Sequence, residues 1–167
     1  MKRIGLVAVG LSMAVTAGVA RSQGTAAPTP APAAEHTVMA PDEMKWGEAP
    51  PIFAKGGKMA VLLGDPSKPG LYIIRMKVPA GYKIAPHWHP TDENVTVISG
   101  SFAIAMGDKM DMKAKAYPAG SFFSMPAKMH HFAFAKKETV VEVTGMGPFT
   151  LTYLNPEDDP SKQSATK

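Results

Sequence analysis

The chain has 167 residues, of which 45% are hydrophobic and 19% are charged, and it contains no cysteine. This length builds one domain around one sizeable core. The lack of cysteine excludes disulfides, thiolate zinc sites, iron–sulfur clusters and a cysteine nucleophile. The 15 glycines and 16 prolines favour many short strands over a helix bundle, so the composition predicts an all-β fold.

The charge gives no sign of a nucleic-acid partner. The formal net charge of +4 falls to +2 without Lys2 and Arg3, which belong to a predicted leader. In the remaining chain basic and acidic residues alternate, whereas a nucleic-acid-binding protein clusters its basic residues. We therefore expect no nucleic acid among the partners.

Residues 1–20 have the character of a signal peptide. Lys2 and Arg3 precede an uncharged, mainly apolar stretch, 4–20, which ends in small residues. A membrane anchor is the alternative, but a helix over 4–20 rises only about 26 Å against a hydrocarbon core of about 30 Å. We expect cleavage, no stable membrane insertion afterwards, and a periplasmic or secreted protein.

Two low-complexity segments flank the predicted β domain, which spans 39–155. Residues 21–38 are rich in proline and alanine and predict an extended linker. Residues 156–167 predict a flexible acidic tail, in which Pro156 and Pro160 end regular structure. Its three neighbouring carboxylates at 157–159 are a conceivable cation site, but a solvated terminus is the simpler interpretation.

The body reads as β-strands because apolar residues recur at every second position. The segments 72–78 and 102–106 show this pattern most clearly. Glycine and proline divide the body into short pieces, and Gly145 and Gly147 predict a bulge or turn. Short strands at regular spacing predict a sandwich or barrel.

Three potential metal ligands lie close together in the sequence. His87 and His89 are two residues apart, so in a strand both imidazoles leave the same face. Glu93 follows a bend after Pro90 that returns its carboxylate toward the imidazoles. Two imidazoles and a carboxylate form three corners of a site for Fe, Mn, Ni, Cu or Zn.

A second histidine pair supplies a fourth ligand. In the segment 130–135, alternation puts His131 on a face with two alanines and His130 on a face with two phenylalanines. The small residues leave room for a site, so His131 is the predicted ligand and His130 a neighbour. A single histidine in a strand is more often a structural residue, but two such segments with a carboxylate favour one divalent transition metal ion.

Two segments resemble the motifs of the cupin superfamily. Gly81-YKIAPHWHPTDENVTVIS-Gly100 is similar to the first motif, and Gly120-SFFSMPAKMH-His131 to the second. The second departs at Lys128, where the family usually has glycine, and at Ala135, where it often has asparagine. A residue other than glycine disfavours the positive φ of such a turn. The resemblance implies a single-domain jelly-roll β-barrel with the metal on His87, His89, Glu93 and His131.

The resemblance does not fix the reaction, and three hypotheses follow. Four protein ligands leave an octahedral ion open positions, which favours catalysis. The first hypothesis is an oxygen-dependent oxidoreductase, dioxygenase-like, that acts on a small-molecule substrate, with Glu93 as catalytic base. The others are a redox-inert isomerase, decarboxylase or lyase, and an exported metal or metabolite receptor.

The sequence also predicts a homodimer. Phe132 and Phe134 point away from the metal face and, together with Trp88, form a second apolar surface. The alternative is that the two phenylalanines fill the core between the sheets.

Overall fold

The computed structural model describes residues 36–163. The predicted signal peptide and nearly all of the predicted linker lie outside them. The described part contains, in chain order, β1 (Gly47–Glu48), β2 (Lys58–Leu63), β3 (Gly70–Val78), β4 (Lys83–Trp88), β5 (Glu93–Ser99), β6 (Ser101–Met106), β7 (Tyr117–Pro118), β8 (Phe122–Met125), β9 (His131–Ala135), β10 (Thr139–Gly147), β11 (Thr152–Tyr153), a 3₁₀ helix (Pro156–Asp158) and α1 (Pro160–Gln163). Neither of these helices has the length and apolar character to cross a membrane.

The strands form two antiparallel sheets. The larger has the order β1-β2-β3-β10-β5-β8 and the smaller the order β11-β4-β9-β6-β7. Strands far apart in the chain, such as β3 and β10, are neighbours in a sheet. This is a jelly-roll sandwich, and it confirms the all-β fold, although the sheets stay separate instead of closing into one continuous barrel.

The main core lies between the two sheets, as the alternation predicts. In β3, Tyr72, Ile74, Met76 and Val78 are buried. They meet the inward residues of the smaller sheet, which include Phe102, Ile104 and Ala133. Burying these side chains stabilises the fold by roughly 25 cal/mol for each Å² of apolar surface removed from water.

A second, smaller core lies on the outer face of β9. Phe132 and Phe134 are 2% and 1% exposed and pack with Ala103. Residues of the β6–β7 connection, among them Met110, cover them. The predicted apolar surface at Phe132 and Phe134 is therefore covered by the chain itself, and these rings do not fill the core between the sheets either.

Two local predictions differ from the structure. Strand β10 runs through Gly145, and its register shift against β5 lies at Val140 and Val141 instead. Regular structure also continues beyond Asn155, because the side chain of Asn155 accepts a hydrogen bond from the amide of Glu157 and caps the 3₁₀ helix. Proline suits the first turn of a helix, which explains why both short helices begin with one.

Candidate metal centre

The predicted ligands meet at one end of the sandwich. His87 lies near the end of β4 and His131 at the start of β9, and the two are directly opposite in the smaller sheet. His89 follows β4, and Glu93 begins β5 in the larger sheet. Both sheets therefore contribute to the same group of side chains.

Backbone carbonyls orient all three imidazoles. The Nδ1 atom of His87 lies 2.7 Å from the carbonyl oxygen of Ala85. For His89 the partner is Thr150 at 2.7 Å, and for His131 it is Met129 at 2.9 Å. A carbonyl oxygen only accepts, so each Nδ1 carries the proton and each neutral ring has its lone pair on Nε2.

The available ligand atoms converge. One nitrogen from each of the three buried histidines lies within 4.8 Å of the others. Glu93 Oε2 lies 3.4 Å from His131 Nε2 and 3.6 Å from His89 Nε2. Ligands about 2.1 Å from one ion stand roughly 3.0 to 3.4 Å apart in octahedral or tetrahedral geometry. The separation from His131 lies at the upper end of this range, and the separation from His89 exceeds the range slightly.

One of these atoms needs a partner that the described residues do not supply. His89 Nε2 is sealed from solvent and has no hydrogen-bond partner among them. Leaving a buried polar atom unpaired costs about 1 to 3 kcal/mol. A cation at the point of convergence would satisfy this lone pair together with those of His87 and His131. The three histidines thus fit a bound metal ion.

The electrostatics agree with a cation site. Burial, followed by repulsion from positive charge on His131 and His89, lowers the pKa of His87 to about 3. His87 therefore stays neutral near pH 7, the form that binds metals. Burial alone would raise the pKa of Glu93, but interactions with His131 and the other imidazoles outweigh it and the pKa is lowered. The lowered pKa keeps this carboxyl group ionised, the form in which it can bind a cation.

A cavity of about 30 Å³ adjoins these side chains. Its walls are apolar apart from the three histidines and Glu93, and include Phe53, Ile74, Met76, Val78, Ile84, Val95, Phe102, Ile104, Ala133, Val141, Val143, Phe149 and Leu151. This space holds about two water-sized groups. A larger molecule would need more space than this cavity provides.

His130 lies outside this group. Its Nδ1 is 2.8 Å from Asp108 Oδ1, and both side chains are largely exposed. His130 immediately precedes β9 and points away from the centre, whereas His131, the first residue of β9, points inward. This is the arrangement predicted from the alanines and phenylalanines that follow. The exposed His130–Asp108 pair is weakly stabilising at most.

Two aromatic residues near the centre were not singled out by the sequence. The ring of Phe149 lies 5.3 Å from that of His89 and 6.0 Å from that of Tyr72. Burial and the charge of Glu93 raise the pKa of Tyr72 above its usual range, so its hydroxyl remains a neutral donor. Tyr72 fits the core pattern of β3, and nothing in that pattern indicates a position beside the site.

Two sheets that carry three convergent imidazoles at one end define a cupin, and its three buried histidines are positioned to bind a metal ion. The chain matches the family model of the ChrR cupin-like domain over residues 34–150, and it belongs to that family. A comparison with the curated proteins returns no match.

Solved structures share the fold. The chain is similar to the polyketide cyclase RemF from Streptomyces resistomycificus, with a TM-score of 0.62, 13% identity, and coverage of 79% of this chain and 94% of that one. It is also similar to an acetylacetone dioxygenase from Acinetobacter johnsonii, with a TM-score of 0.58, 18% identity, and coverage of 83% of this chain and 97% of that one. A third similar structure is an RmlC-like cupin from Shewanella frigidimarina, with a TM-score of 0.52, 17% identity, and coverage of 74% of this chain and 96% of that one. At these identities the likeness concerns the fold.

Proposed function

We propose that this protein is a metal-dependent, oxygen-dependent oxidoreductase of the dioxygenase type that acts on a small organic substrate. The observation that carries the proposal is the convergence of three buried Nε2 lone pairs, one of them unpartnered, beside a cavity with apolar walls. The fold shared with the acetylacetone dioxygenase supports the same reaction class.

Four residues would hold the ion: His87, His89, His131 and, as fourth ligand, Glu93. Such an ion, when bound, would supply open coordination positions and one-electron redox chemistry. A dioxygenase transfers both oxygen atoms to its substrate, and the substrate supplies the electrons. The reaction therefore needs no external reductant.

The residues around the centre orient the imidazoles, exclude water and provide a general base. Carbonyl acceptors on Ala85, Met129 and Thr150 fix the imidazole tautomers. The apolar walls exclude water and strengthen electrostatic interactions at the centre. Glu93 is the one carboxylate of the cavity lining. Among the four ligands it is therefore our candidate for leaving the ion and removing an acidic proton from the substrate.

The reaction is tested by oxygen consumption. Metal-free protein is reconstituted separately with Fe, Mn, Ni, Cu and Zn, and each form is offered small chelating substrates, beginning with a β-diketone. We expect uptake with a redox-active ion, retained in His130→Ala and lost in His131→Ala. Turnover without oxygen would instead indicate an isomerase, decarboxylase or lyase.

A metal receptor without turnover is the second candidate, and the small volume of the cavity favours it. It predicts His131-dependent metal binding and no product under any atmosphere. We further propose that the protein works in the periplasm or outside the cell, as residues 1–20 predict. We also propose that it forms a homodimer, through a surface other than Phe132 and Phe134, which the chain itself covers. Sedimentation at micromolar concentration tests the dimer.

A further inference from the structure

Three residues form a row across the larger sheet. Tyr72 of β3 is directly opposite Gly145 of β10, and Gly145 is directly opposite Glu93 of β5. Directly opposite residues in antiparallel strands point to the same face. Tyr72 and Glu93 therefore share the inner face and are separated by a residue without a side chain.

The side chain of Tyr72 occupies the space over Gly145. A Cβ atom added to Gly145 would lie 2.5 Å from the hydroxyl oxygen of Tyr72 and 2.9 Å from its Cζ. Adjacent strands are about 4.8 Å apart, so the backbones of Tyr72 and Glu93 are about 10 Å apart. The tyrosine ring crosses half of this gap and brings its hydroxyl toward Glu93.

This hydroxyl has no acceptor among the described residues. The other two buried tyrosines each donate to a backbone carbonyl, Tyr82 to Ala54 at 2.7 Å and Tyr153 to Ile52 at 2.8 Å. Tyr72 is 2% exposed, yet no such bond is present. Within residues 36–163, His89 Nε2 is the one side-chain polar atom that is both fully buried and without a hydrogen-bond partner. The Tyr72 oxygen, which also lacks a partner, therefore retains some accessible surface.

The cavity indicates what such a donor binds. Its polar groups are confined to the three histidines and Glu93, and the remaining walls are apolar. Since about 30 Å³ admits only about two water-sized groups, a ligand would place its oxygens at this polar end, and its apolar body would need space beyond the cavity. Tyr72 is not one of the residues that line this cavity; its hydroxyl lies over Gly145, which is directly opposite Glu93 at the polar end. A phenol in that position suits an oxygen that carries negative charge, because such hydrogen bonds are stronger than neutral ones.

We propose that the Tyr72 hydroxyl donates a hydrogen bond to an anionic oxygen of a small chelating enolate or carboxylate bound at the histidine centre, and that Gly145 provides the space for it. The inference rests on the proposed function, because it requires a metal on His87, His89 and His131. Tyr72 is a specificity-determining residue in this scheme. The metal itself does not depend on it.

The test uses the full chain loaded with Co²⁺, whose visible spectrum reports both metal binding and the approach of a second ligand. Acetylacetone is the probe, titrated at constant pH. Tyr72→Phe should leave the Co²⁺ affinity and the starting spectrum unchanged and weaken acetylacetonate binding about tenfold, the loss of one hydrogen bond to a charged group. Tyr82→Phe, the matched control, should bind the probe like the wild type.

Gly145→Ala supplies a second, independent variant. Its methyl group would displace the hydroxyl, so we expect the same weakening as in Tyr72→Phe. The double variant should lose no more than either single one, because both changes remove the same hydrogen bond.

The outcomes separate the two ideas. Unchanged acetylacetonate binding in Tyr72→Phe, with Co²⁺ bound normally, overturns the inference and leaves the metal centre intact. A wild-type chain that binds no Co²⁺ in a His131-dependent manner overturns the proposed function and the inference with it. Weakening by Tyr82→Phe to the same degree also overturns the inference, because the effect would then be a general one of the core.

Discussion

The backbone amide of Lys128 donates a 2.7 Å hydrogen bond to the carbonyl oxygen of His89. One residue earlier, the amide of Ala127 donates to the carboxylate of Asp92 at 2.8 Å. The turn that precedes His131 is thus fastened to the segment that carries His89 and Glu93. This connection brings together two groups of ligands that are far apart in the chain.

The turn has an unfavourable backbone conformation at Lys128, whose φ is 64°. A left-handed conformation costs an L-residue about 1 to 2 kcal/mol, which glycine avoids, although glycine loses more entropy on folding. We therefore expect Lys128→Gly to raise the free energy of unfolding by about 0.5 kcal/mol. Lys128→Val should lower it by about 1 to 2 kcal/mol, since branching at Cβ aggravates the strain. Urea unfolding of the wild type and both variants measures these free energies. A clearly lower free energy of unfolding in Lys128→Gly would contradict the prediction.

Metal should stabilise the fold through the histidine centre. A ligand at a hundred times its dissociation constant adds about 2.7 kcal/mol to the stability of the state that binds it. We expect Co²⁺, Ni²⁺ or Zn²⁺ to raise the melting temperature of the wild type and a chelator to reverse the shift. His131→Ala should abolish the shift.

The adjacent residue is the control for this measurement. His130 is exposed and pairs with Asp108, so His130→Ala should keep the whole metal-dependent shift. A shift that survives in His131→Ala would mean that the stabilising ion binds elsewhere.

Much of this architecture was predictable because the sequence expresses it locally. Period-two alternation identified the inward faces of β3 and β9, and the spacing of His87, His89 and Glu93 indicated ligands close together. The sequence put the left-handed turn at Lys128 in doubt, because lysine disfavours a positive φ, yet the structure keeps that conformation, with a φ of 64°.

The remaining features depend on contacts between distant segments. The burial of Phe132 requires the β6–β7 connection to fold over it, and no pattern within β9 shows this. Tyr72 looks like any core residue until the register of β3, β10 and β5 aligns it with Gly145 and Glu93. Such relationships are set by sheet order, which a single sequence does not display.

Phe132 should behave as a core residue. It is 2% exposed and lies in the outer cluster with Phe134, so Phe132→Ala should lower the free energy of unfolding by about 3 to 5 kcal/mol. Phe122 is 63% exposed, and Phe122→Ala should change it by no more than about 0.5 kcal/mol. Denaturant unfolding compares the two variants. Equal effects would show that Phe132 is not covered.

Two glycines with nearly the same backbone angle provide a steric test. Gly100 and Gly120 have φ values of 85° and 86°. A Cβ at Gly100 would collide with the carbonyl oxygen of Glu138 and lie 2.5 Å from Thr139 Oγ1, whereas a Cβ at Gly120 would have no neighbour within 4 Å. Thr139 cannot easily move aside, because it is fully buried and its hydroxyl bonds to the backbone of Ser101.

Alanine at the two positions should therefore have different effects on stability. Gly120→Ala pays only the conformational strain, about 1 kcal/mol. Gly100→Ala adds the collision with the segment that begins β10, and should lose about 3 kcal/mol in total. Thermal and urea unfolding of the two variants measure the difference. If both lose the same amount, backbone conformation alone explains these glycines, and the close approach of the β5–β6 turn to Thr139 has no energetic consequence.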